Sequence, residues 1–352
     1  MKNKFPESKL SENEQTILGV LYSVELNPKD SETNEYFIGE KRIKLNVESI
    51  LSVSKHRIGE DIDLLSSILE TLLTKNLINI SNKIYSLTEV GSKIGEKIKS
   101  KWFSEFYDKL LLRCAKSQAY AKFCELVYGE NLVQFNVIDM QQLNMMLEKL
   151  ELNSNDKVLD LGCGLGKITE YLADKTGASI TGIDFSQKSI QYAKMNTKGN
   201  EKLRFEVQDI NELNYPSNTF DAIIALDVLY WVDDLEPVIK TLKDILKPNG
   251  RMGIFYVQFQ NQENLTEPLE SENTKLAKFL DQNNYTYEVE DISQKAVEIW
   301  ERKIAVGKEL REQFLSEGNQ DIIDSRVAGG LDVIKKFETK QQKRYFFYVK
   351  NK

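Results

Sequence analysis

The sequence predicts an α/β fold over most of its length, with a doubly wound parallel sheet, and a mainly helical domain before it. Three observations support this prediction. An apolar strand runs into a glycine-rich turn and a helix at residues 158–173, strands and helices then alternate to residue 257, and residues 1–100 lack that alternation. Alternating strands and helices are typical of parallel sheets covered on both faces. With 352 residues, the chain exceeds the usual size of a single core, so two domains are expected.

The glycine-rich turn is the most informative element. Gly162, Gly164 and Gly166 lack Cβ atoms, so the backbone turns sharply there and a ligand can approach it closely. The helix that follows offers unpaired N–H groups at its N-terminus. A dinucleotide-binding turn needs a further glycine three residues after Gly164, but Lys167 occupies that position. The turn therefore predicts a nucleotide-like ligand, and the missing glycine argues against a dinucleotide with a pyrophosphate.

The next two strands place acidic residues at one edge of the predicted sheet. The second strand, 179–184, ends in Asp184, about 20 residues after the turn, where related sheets hold ribose hydroxyls. Phe185 and Ser186 follow, and Ser186 is expected to cap the next helix. The third strand leads to Asp209. Open α/β sheets bind ligands at this edge, so these residues form a candidate site.

The remaining strands complete the sheet. The fourth strand, 220–226, brings Asp227, Tyr230 and Trp231 to the same edge. A helix is predicted at 235–246, and a Lys-Pro-Asn-Gly-Arg turn follows it at 247–251. Three further strands are predicted at 252–257, 285–290 and 344–349.

The pattern Asp160-x-Gly162-x-Gly164-x-Gly166 resembles motif I of the class I S-adenosylmethionine-dependent methyltransferases, which usually also have a Lys-Pro-x-Gly turn before the fifth strand. The resemblance covers residues 128–260 and the last strand. It implies a Rossmann-like, seven-stranded methyltransferase sheet, S-adenosyl-L-methionine as the cofactor, and adenine held near the end of the third strand. The cofactor-binding residues that it implies are Asp160, Gly162, Cys163, Gly164, Gly166, Asp184, Phe185, Ser186, Asp209, Ile210 and Leu226.

Residues 1–100 resemble a winged-helix domain, a fold that reads DNA in some proteins and dimerises enzymes in others. Helices at 11–23, 46–53 and 62–73 precede two strands, around 78–80 and 85–87. A DNA-reading helix needs basic and amide side chains, whereas acids follow the short basic run here, at Glu60, Asp61, Asp63 and Glu70. In small-molecule O-methyltransferases of similar layout this domain packs against its twin and helps to shape the substrate pocket, so the resemblance implies dimerisation or covering of the active site. We therefore expect a homodimer and no nucleic acid.

Residues 101–150 are predicted to form an aromatic-rich helical linker before the cofactor-binding domain, 151–352. Packing between domains is one explanation, because connecting helices bury one face. The alternative is a lid, since the segment 128–135 stands where related enzymes fold a cover over the cofactor. Tyr128, Gln134 and Phe135 are the candidates for that cover and for substrate contact.

A helical insertion is predicted near 293–340, because Trp300, Ile304 and Ile334 fall at helical spacings with their neighbours. Insertions at the catalytic edge commonly cap a small-molecule site. Arg326 is the basic group in it that would anchor a substrate carboxylate or phosphate. The alternative is an ordinary solvated helix charge.

Composition excludes several classes of site. Three cysteines without a Cys-x-x-Cys pair indicate a reducing cytoplasm and no structural zinc, so the expected location is cytoplasmic and no metal is expected. The single histidine, His56, excludes a Ser-His-Asp triad and histidine-based metal sites. A net charge of -7 disfavours a broad nucleic-acid footprint. No apolar run of 18 residues is present, so no membrane span is expected.

The predicted function is methyl transfer to a small molecule through an N, O or C nucleophile. Plant-type O-methyltransferases of this layout use a catalytic histidine, and this chain has none after His56, so Asp227 and Tyr230 are the candidates for a catalytic role. Trp231 is a further candidate for substrate contact. The residues after the fourth strand lack the prolines with which enzymes grip a flipped base. An RNA methyltransferase and a cofactor-sensing transcription regulator remain the alternatives.

Overall fold

The structure, a computed structural model, describes residues 9–25, 29–30, 35–38, 41–232, 234–260 and 269–351. The chain forms two compact units, Met1–Tyr107 and Asp108–Lys352, which are described separately. Among the described helices, none is long and apolar enough to cross a bilayer. The described residues also contain no group of three acidic, cysteine or histidine side chains suited to a metal ion.

In its described part the first unit contains three helices and two small antiparallel sheets, and it ends within a fourth helix. In chain order the elements are α1 (Glu12–Glu25), β1 (Lys29–Asp30), β2 (Glu35–Ile38), β3 (Lys41–Ile43), α2 (Val47–Ile58), α3 (Ile62–Thr74), β4 (Ile78–Ser81), β5 (Ile84–Leu87) and α4 (Glu89–Cys114). The predicted helices and the hairpin β4–β5 are therefore confirmed. The sheet β1-β2-β3 lies where the sequence predicts no element. The winged-helix assignment stays a prediction.

Local sequence explains where the helices of this unit begin. The Asn46 side chain accepts a hydrogen bond from the Ser49 N–H at 2.9 Å and caps α2, and Asp61 caps α3 in the same way. The buried face of α3 carries Leu65, Leu69 and Leu72 at helical spacing. These side chains pack with α1 in one apolar core.

The second unit is built on a seven-stranded sheet, as predicted. Its strands are β6 (Lys157–Leu161), β7 (Ser179–Asp184), β8 (Leu203–Val207), β9 (Phe220–Leu226), β10 (Leu246–Phe259), β11 (Thr286–Asp291) and β12 (Gln342–Lys350). Their order is β11-β12-β10-β9-β6-β7-β8. In the described sheet, β12 is the one strand that runs opposite to the other six. Since β6 lies between β7 and β9, the strand order reverses there, and ligands bind beyond the carboxyl ends at such a point.

Helices cover the sheet and fill the insertion predicted between the last two strands. They are α5 (Gln118–Tyr128), α6 (Met140–Leu150), α7 (Lys167–Thr176), α8 (Gln187–Asn196), α9 (Leu235–Ile245), α10 (Lys275–Gln282), α11 (Ser293–Glu309), α12 (Arg311–Ser316), α13 (Gln320–Val327) and α14 (Gly330–Glu338). The last four form the insertion. The α9 helix buries Leu235, Val238 and Leu242 in the core on one face of the sheet.

One local prediction is wrong. The sequence predicts a helix to residue 246, a turn at 247–251 and a strand from 252, whereas β10 already begins at Leu246. Leu246 pairs with Phe220 and Arg251 with Ala222, so the intervening residues form a bulge within the strand. Asn249 supports the bulge with a φ of 62°, a conformation that Asn tolerates better than most residues. Pairing of Leu246 with β9 therefore starts the strand before the predicted turn, and the register shift lies at the turn itself.

Candidate functional site

The glycine-rich turn joins β6 to α7 at the point where the strand order reverses. Gly162, Gly164 and Gly166 have φ angles of 73°, 53° and 75°, in the left-handed region that favours glycine. A Cβ added at Gly166 would lie 2.7 Å from the Phe205 ring, so close packing also requires that glycine. By contrast, among the described residues a Cβ at Gly164 would have only Leu111 Cδ1 near it, at 4.0 Å. The turn is therefore tightly packed at Gly166 and has open space at Gly164.

Asp184 ends β7 and fixes the shape of this turn. One of its carboxylate oxygens accepts a hydrogen bond from the Gly164 N–H at 3.0 Å, and the other accepts from the Ser186 N–H at 2.8 Å. Burial raises the pKa of Asp184, the two N–H bonds oppose that rise, and the nearby charge of Asp108 adds to it. A carboxylate oxygen can accept two hydrogen bonds, so each Asp184 oxygen can accept a further one from a ligand hydroxyl.

Ser186 and Asp108 form a second polar group beside Asp184. The Ser186 hydroxyl caps α8 by accepting from the Ser189 N–H at 2.9 Å, as predicted, and donates a hydrogen bond to the Asp108 carboxylate. Asp108 lies on α4 and is buried. Sequence reasoning missed this residue, because nothing in the surrounding aromatic-rich helix distinguishes it from a solvated charge.

Asp160 and Cys163 lie behind the turn. The Asp160 carboxylate accepts from the Thr169 hydroxyl at 2.6 Å, which ties β6 to α7. Burial raises the pKa of Asp160 to about 6; the Thr169 bond opposes the shift and the charge of Asp184 adds to it. Cys163 packs against Gly182, where an added Cβ would lie 2.9 Å from the sulfur. Both side chains thus support the turn from inside the unit.

The remaining predicted cofactor residues lie along the same edge. Asp209 is exposed after β8, and its side chain accepts from the Asn211 backbone and side-chain N–H groups, both at 2.8 Å. Phe185 is 47% exposed although it is apolar, Ile210 is half-buried, and Leu226 is buried at the end of β9. An exposed aromatic ring after β7 and an exposed carboxylate after the neighbouring strand β8 suit a flat heterocycle with an amino group.

Asp227, predicted as a catalytic residue, is held in a buried ion pair. Its two oxygens accept from Arg344 Nε and Nη2, both at 2.9 Å, and the Val137 N–H donates to it at 3.3 Å. Arg344 also donates to the Gln142 side chain at 2.6 Å. The side chains of the pair are 1% and 0% exposed, and Asp227 has a φ of 56°. Sequence reasoning missed Arg344, although a cation inside the apolar strand Arg344–Val349 is a signal that could have found it.

Tyr230 and Trp231 lie in a 3-10 turn, Leu229–Trp231, beyond β9. The Tyr230 ring contacts Trp231, Tyr256 and Phe259, with ring centroids 5.4, 6.3 and 6.0 Å apart. Tyr230 also lines a cavity of about 240 Å³ whose wall includes Tyr256, Phe259 and Lys275. Trp231 is 71% exposed. This edge therefore carries an aromatic surface beside the carboxyl ends of β9 and β10.

The structure brings three of the other predicted substrate residues together. Arg326 donates from Nη2 to the Tyr128 hydroxyl at 3.2 Å and to the Phe135 carbonyl at 3.0 Å, and its guanidinium lies 3.9 Å from the centre of the Phe135 ring. Arg326 is 5% exposed, so the alternative of a solvated helix charge is wrong. Gln134 is buried and spans its own loop, donating to the Glu130 carbonyl and accepting from the Leu132 N–H.

Comparisons with known proteins agree with this geometry. Residues 152–317 match the model of a family described as "Methyltransferase domain". Phosphoethanolamine N-methyltransferase 1 of Arabidopsis thaliana is 23% identical over 269 residues, which cover 71% of this chain and 52% of that protein. Phosphoethanolamine N-methyltransferase of Plasmodium falciparum is 32% identical over 133 residues, 37% of this chain and 49% of that protein. The chain thus spans about half the length of these curated relatives.

Solved structures show the same fold. Phosphoethanolamine N-methyltransferase 2 of Haemonchus contortus, in complex with S-adenosyl-L-methionine, matches with a TM-score of 0.56 at 18% identity over 70% of this chain and 60% of that chain. Geranyl diphosphate C-methyltransferase of Streptomyces coelicolor matches with a TM-score of 0.51 at 13% identity over 66% of this chain and 81% of that chain. The family match over residues 152–317 and the shared fold agree with the predicted class I S-adenosylmethionine-dependent methyltransferase domain.

Proposed function

We propose that this protein is an S-adenosylmethionine-dependent methyltransferase that acts on a small molecule. The observation that carries the proposal is the glycine turn, which has open space at Gly164. The Gly164 N–H donates a hydrogen bond to Asp184, the acidic residue that ends the next strand. Backbone close to a ligand and an acid for ribose hydroxyls are the two features that a nucleoside cofactor needs at this edge. The methyltransferase family match lies on the same residues.

The residues present fit S-adenosyl-L-methionine. Asp184 would hold the ribose hydroxyls, Asp209 and Ile210 the adenine, and the turn around Gly164 the rest of the cofactor. Phe185 supplies an exposed ring for stacking. When bound, the cofactor supplies a methyl group on a sulfonium, an electrophile that reacts with a nucleophile aligned opposite the leaving sulfur.

This chain's own contribution is then positioning and exclusion of water. Well-oriented groups recover roughly 7 to 11 kcal/mol of a reaction barrier through proximity. Asp227 is held by two nitrogens of the Arg344 guanidinium and fixes the end of β9, so we assign it to positioning. Tyr230 stands beside the cavity at that end and is the candidate for contact with the acceptor.

The acceptor is a small molecule with a nitrogen, oxygen or carbon nucleophile. The relatives' names include a phosphoethanolamine N-methyltransferase and a geranyl diphosphate C-methyltransferase, so both nitrogen and carbon acceptors occur among proteins similar to this one. We further propose that the protein acts in the cytoplasm, forms a homodimer through residues 1–100 and does not use nucleic acid. Light scattering of the full chain tests the dimer: a mass of 40.6 kDa, that of one chain, would contradict it.

The test of function is methyl transfer from isotope-labelled S-adenosylmethionine into an extract of the source cells, separated into metabolite, protein and RNA pools. Label in the metabolite pool is expected and gives a mass for the acceptor. Label confined to RNA would instead support the RNA methyltransferase. Calorimetry with S-adenosylhomocysteine tests the cofactor site alone, and absence of binding would contradict the proposal.

A further inference from the structure

Two basic side chains are buried inside the helical insertion of the second unit. Lys303, on α11, is 1% exposed, and Arg326, on α13, is 5% exposed. Among the residues that the structure describes, neither forms an ion pair with a carboxylate within 4.0 Å. Burying a charge without a partner costs several kcal/mol, so such groups are normally paired. Two of them in one insertion require an explanation.

The groups that do contact these cations are neutral. Arg326 donates to the Tyr128 hydroxyl and the Phe135 carbonyl and lies over the Phe135 ring. Its Nε atom is buried and has no hydrogen-bond partner in the described residues. The Lys303 ammonium lies 3.2 Å from the centre of the Trp300 ring. Aromatic faces and single carbonyls offset part of the desolvation, but they supply no negative charge.

The carboxylate that acts electrostatically on Lys303 is already engaged. Asp227 acts electrostatically on both Lys303 and Tyr128, but Arg344 holds both of its oxygens. Three cations, Lys303, Arg326 and Arg344, therefore accompany one carboxylate. Burial holds the pKa of Lys303 well below its usual range, the charge of Arg326 lowers it further, and Asp227 opposes the shift. Arg326 cannot relieve the excess in this way, since arginine does not lose its proton in proteins.

We infer that Lys303 and Arg326 form a binding site for an oxyanion, the phosphate or carboxylate group of the methyl acceptor. This inference rests on the proposed function and specifies its substrate as an anionic small molecule. An arginine presents a planar fork with free N–H groups to such an oxyanion, and a lysine adds a compact charge. The bound anion supplies the negative charge that the buried cations lack. Asp227, at the end of β9, links this site to the edge where the methyl group would be transferred.

The test is calorimetric titration of the full chain with inorganic phosphate and, separately, with acetate, at constant ionic strength, with and without S-adenosylhomocysteine. Saturable binding of one ion per chain is expected for at least one of them, and the better one identifies the class of oxyanion. Lys303→Met should weaken that binding by about tenfold or more, the equivalent of one charge-assisted hydrogen bond. Replacing a buried cation by an apolar side chain of similar volume is often tolerated by the fold.

Two further variants keep the outcome clear. Arg326→Lys retains the charge but loses the planar fork, so it should also weaken binding by about tenfold. Lys308→Met removes an exposed lysine from the same helix and should leave the affinity unchanged. Circular dichroism and the melting temperature report whether each variant folds.

The inference would be overturned if Lys303→Met and Arg326→Lys bound phosphate and acetate as tightly as the wild type does. It would also be overturned if Lys308→Met lost as much affinity as those two variants. Failure to bind either ion at all would overturn it as well. If S-adenosylhomocysteine fails to bind while an anion binds to the wild type and not to Lys303→Met, the proposed function fails and the oxyanion site stands. If S-adenosylhomocysteine binds and neither ion does, the proposed function stands and the oxyanion site fails.

Discussion

The two halves of the candidate site are built in different ways. On the proposed cofactor side, Gly164 and Asp184 are 20 residues apart and are joined through the helix α7 and the strand β7. On the acceptor side, Asp227 and Arg344 are 117 residues apart, and Arg326 and Phe135 are 191 apart. The cofactor side is therefore a local motif, whereas the acceptor side depends on the packing of the whole second unit. Variants of the two sides should fail differently, the first in cofactor binding and the second in stability or turnover.

The largest effect is expected from breaking the buried ion pair on the acceptor side. Arg344→Met leaves the Asp227 carboxylate buried and uncompensated, and loss of one partner of such a pair typically costs about 3–5 kcal/mol. Urea unfolding of the full chain measures this cost. The double variant Arg344→Met with Asp227→Leu should recover most of the lost stability. A single variant as stable as the wild type would show that the pair does not hold this side together.

Gly164→Val should next abolish cofactor binding. The position has a φ of 53°, which a β-branched side chain strongly disfavours, and the side chain would enter the open space of the turn. We expect the affinity for S-adenosylhomocysteine to fall by more than about a hundredfold, measured by calorimetry. Gly199→Val is the matched control, because Gly199 also has a positive φ, of 94°, but is exposed elsewhere in the unit. Similar losses in both variants would point to general destabilisation.

Asp184→Ala should weaken cofactor binding less. A charge-assisted hydrogen bond to a ribose hydroxyl contributes about 1.5–3 kcal/mol, and the loop also loses the bond to the Gly164 N–H. Asp184→Asn is the informative partner, because its side-chain oxygen can still accept one of those bonds. Unchanged binding in Asp184→Ala would remove this residue from the cofactor site.

Tyr230→Phe should have the smallest effect of the four and should act on turnover alone. The substitution keeps the ring contacts with Tyr256 and Phe259 and removes one hydroxyl, so cofactor affinity should stay the same. A lost neutral hydrogen bond to the acceptor predicts a rate decrease of up to about tenfold. Tyr256→Phe, in the same ring cluster, serves as the control. An undiminished rate in Tyr230→Phe would end its candidacy.

The glycine turn and its contact with Asp184 are predictable from the sequence because their signals are short-range. Glycines at alternate positions after an apolar strand force the turn, and an acid at the tip of the next strand follows from the period of the fold, so Gly164 and Asp184 are found without coordinates. The contact between Ser186 and Asp108 is not predictable in this way, since it joins residues 78 positions apart through helix packing.

By itself, the sequence therefore determined the α/β class, the order of the seven sheet strands along the chain and the glycine turn, because hydrophobic periodicity and glycine conformations are local properties. Tertiary structure alone decided which charges are buried. It turned Asp227 into half of an ion pair with Arg344, and it buried Arg326, for which a solvated helix charge was the alternative. The physical reason is that the energy of a charge depends on the groups packed around it, and here those groups come from distant strands and helices.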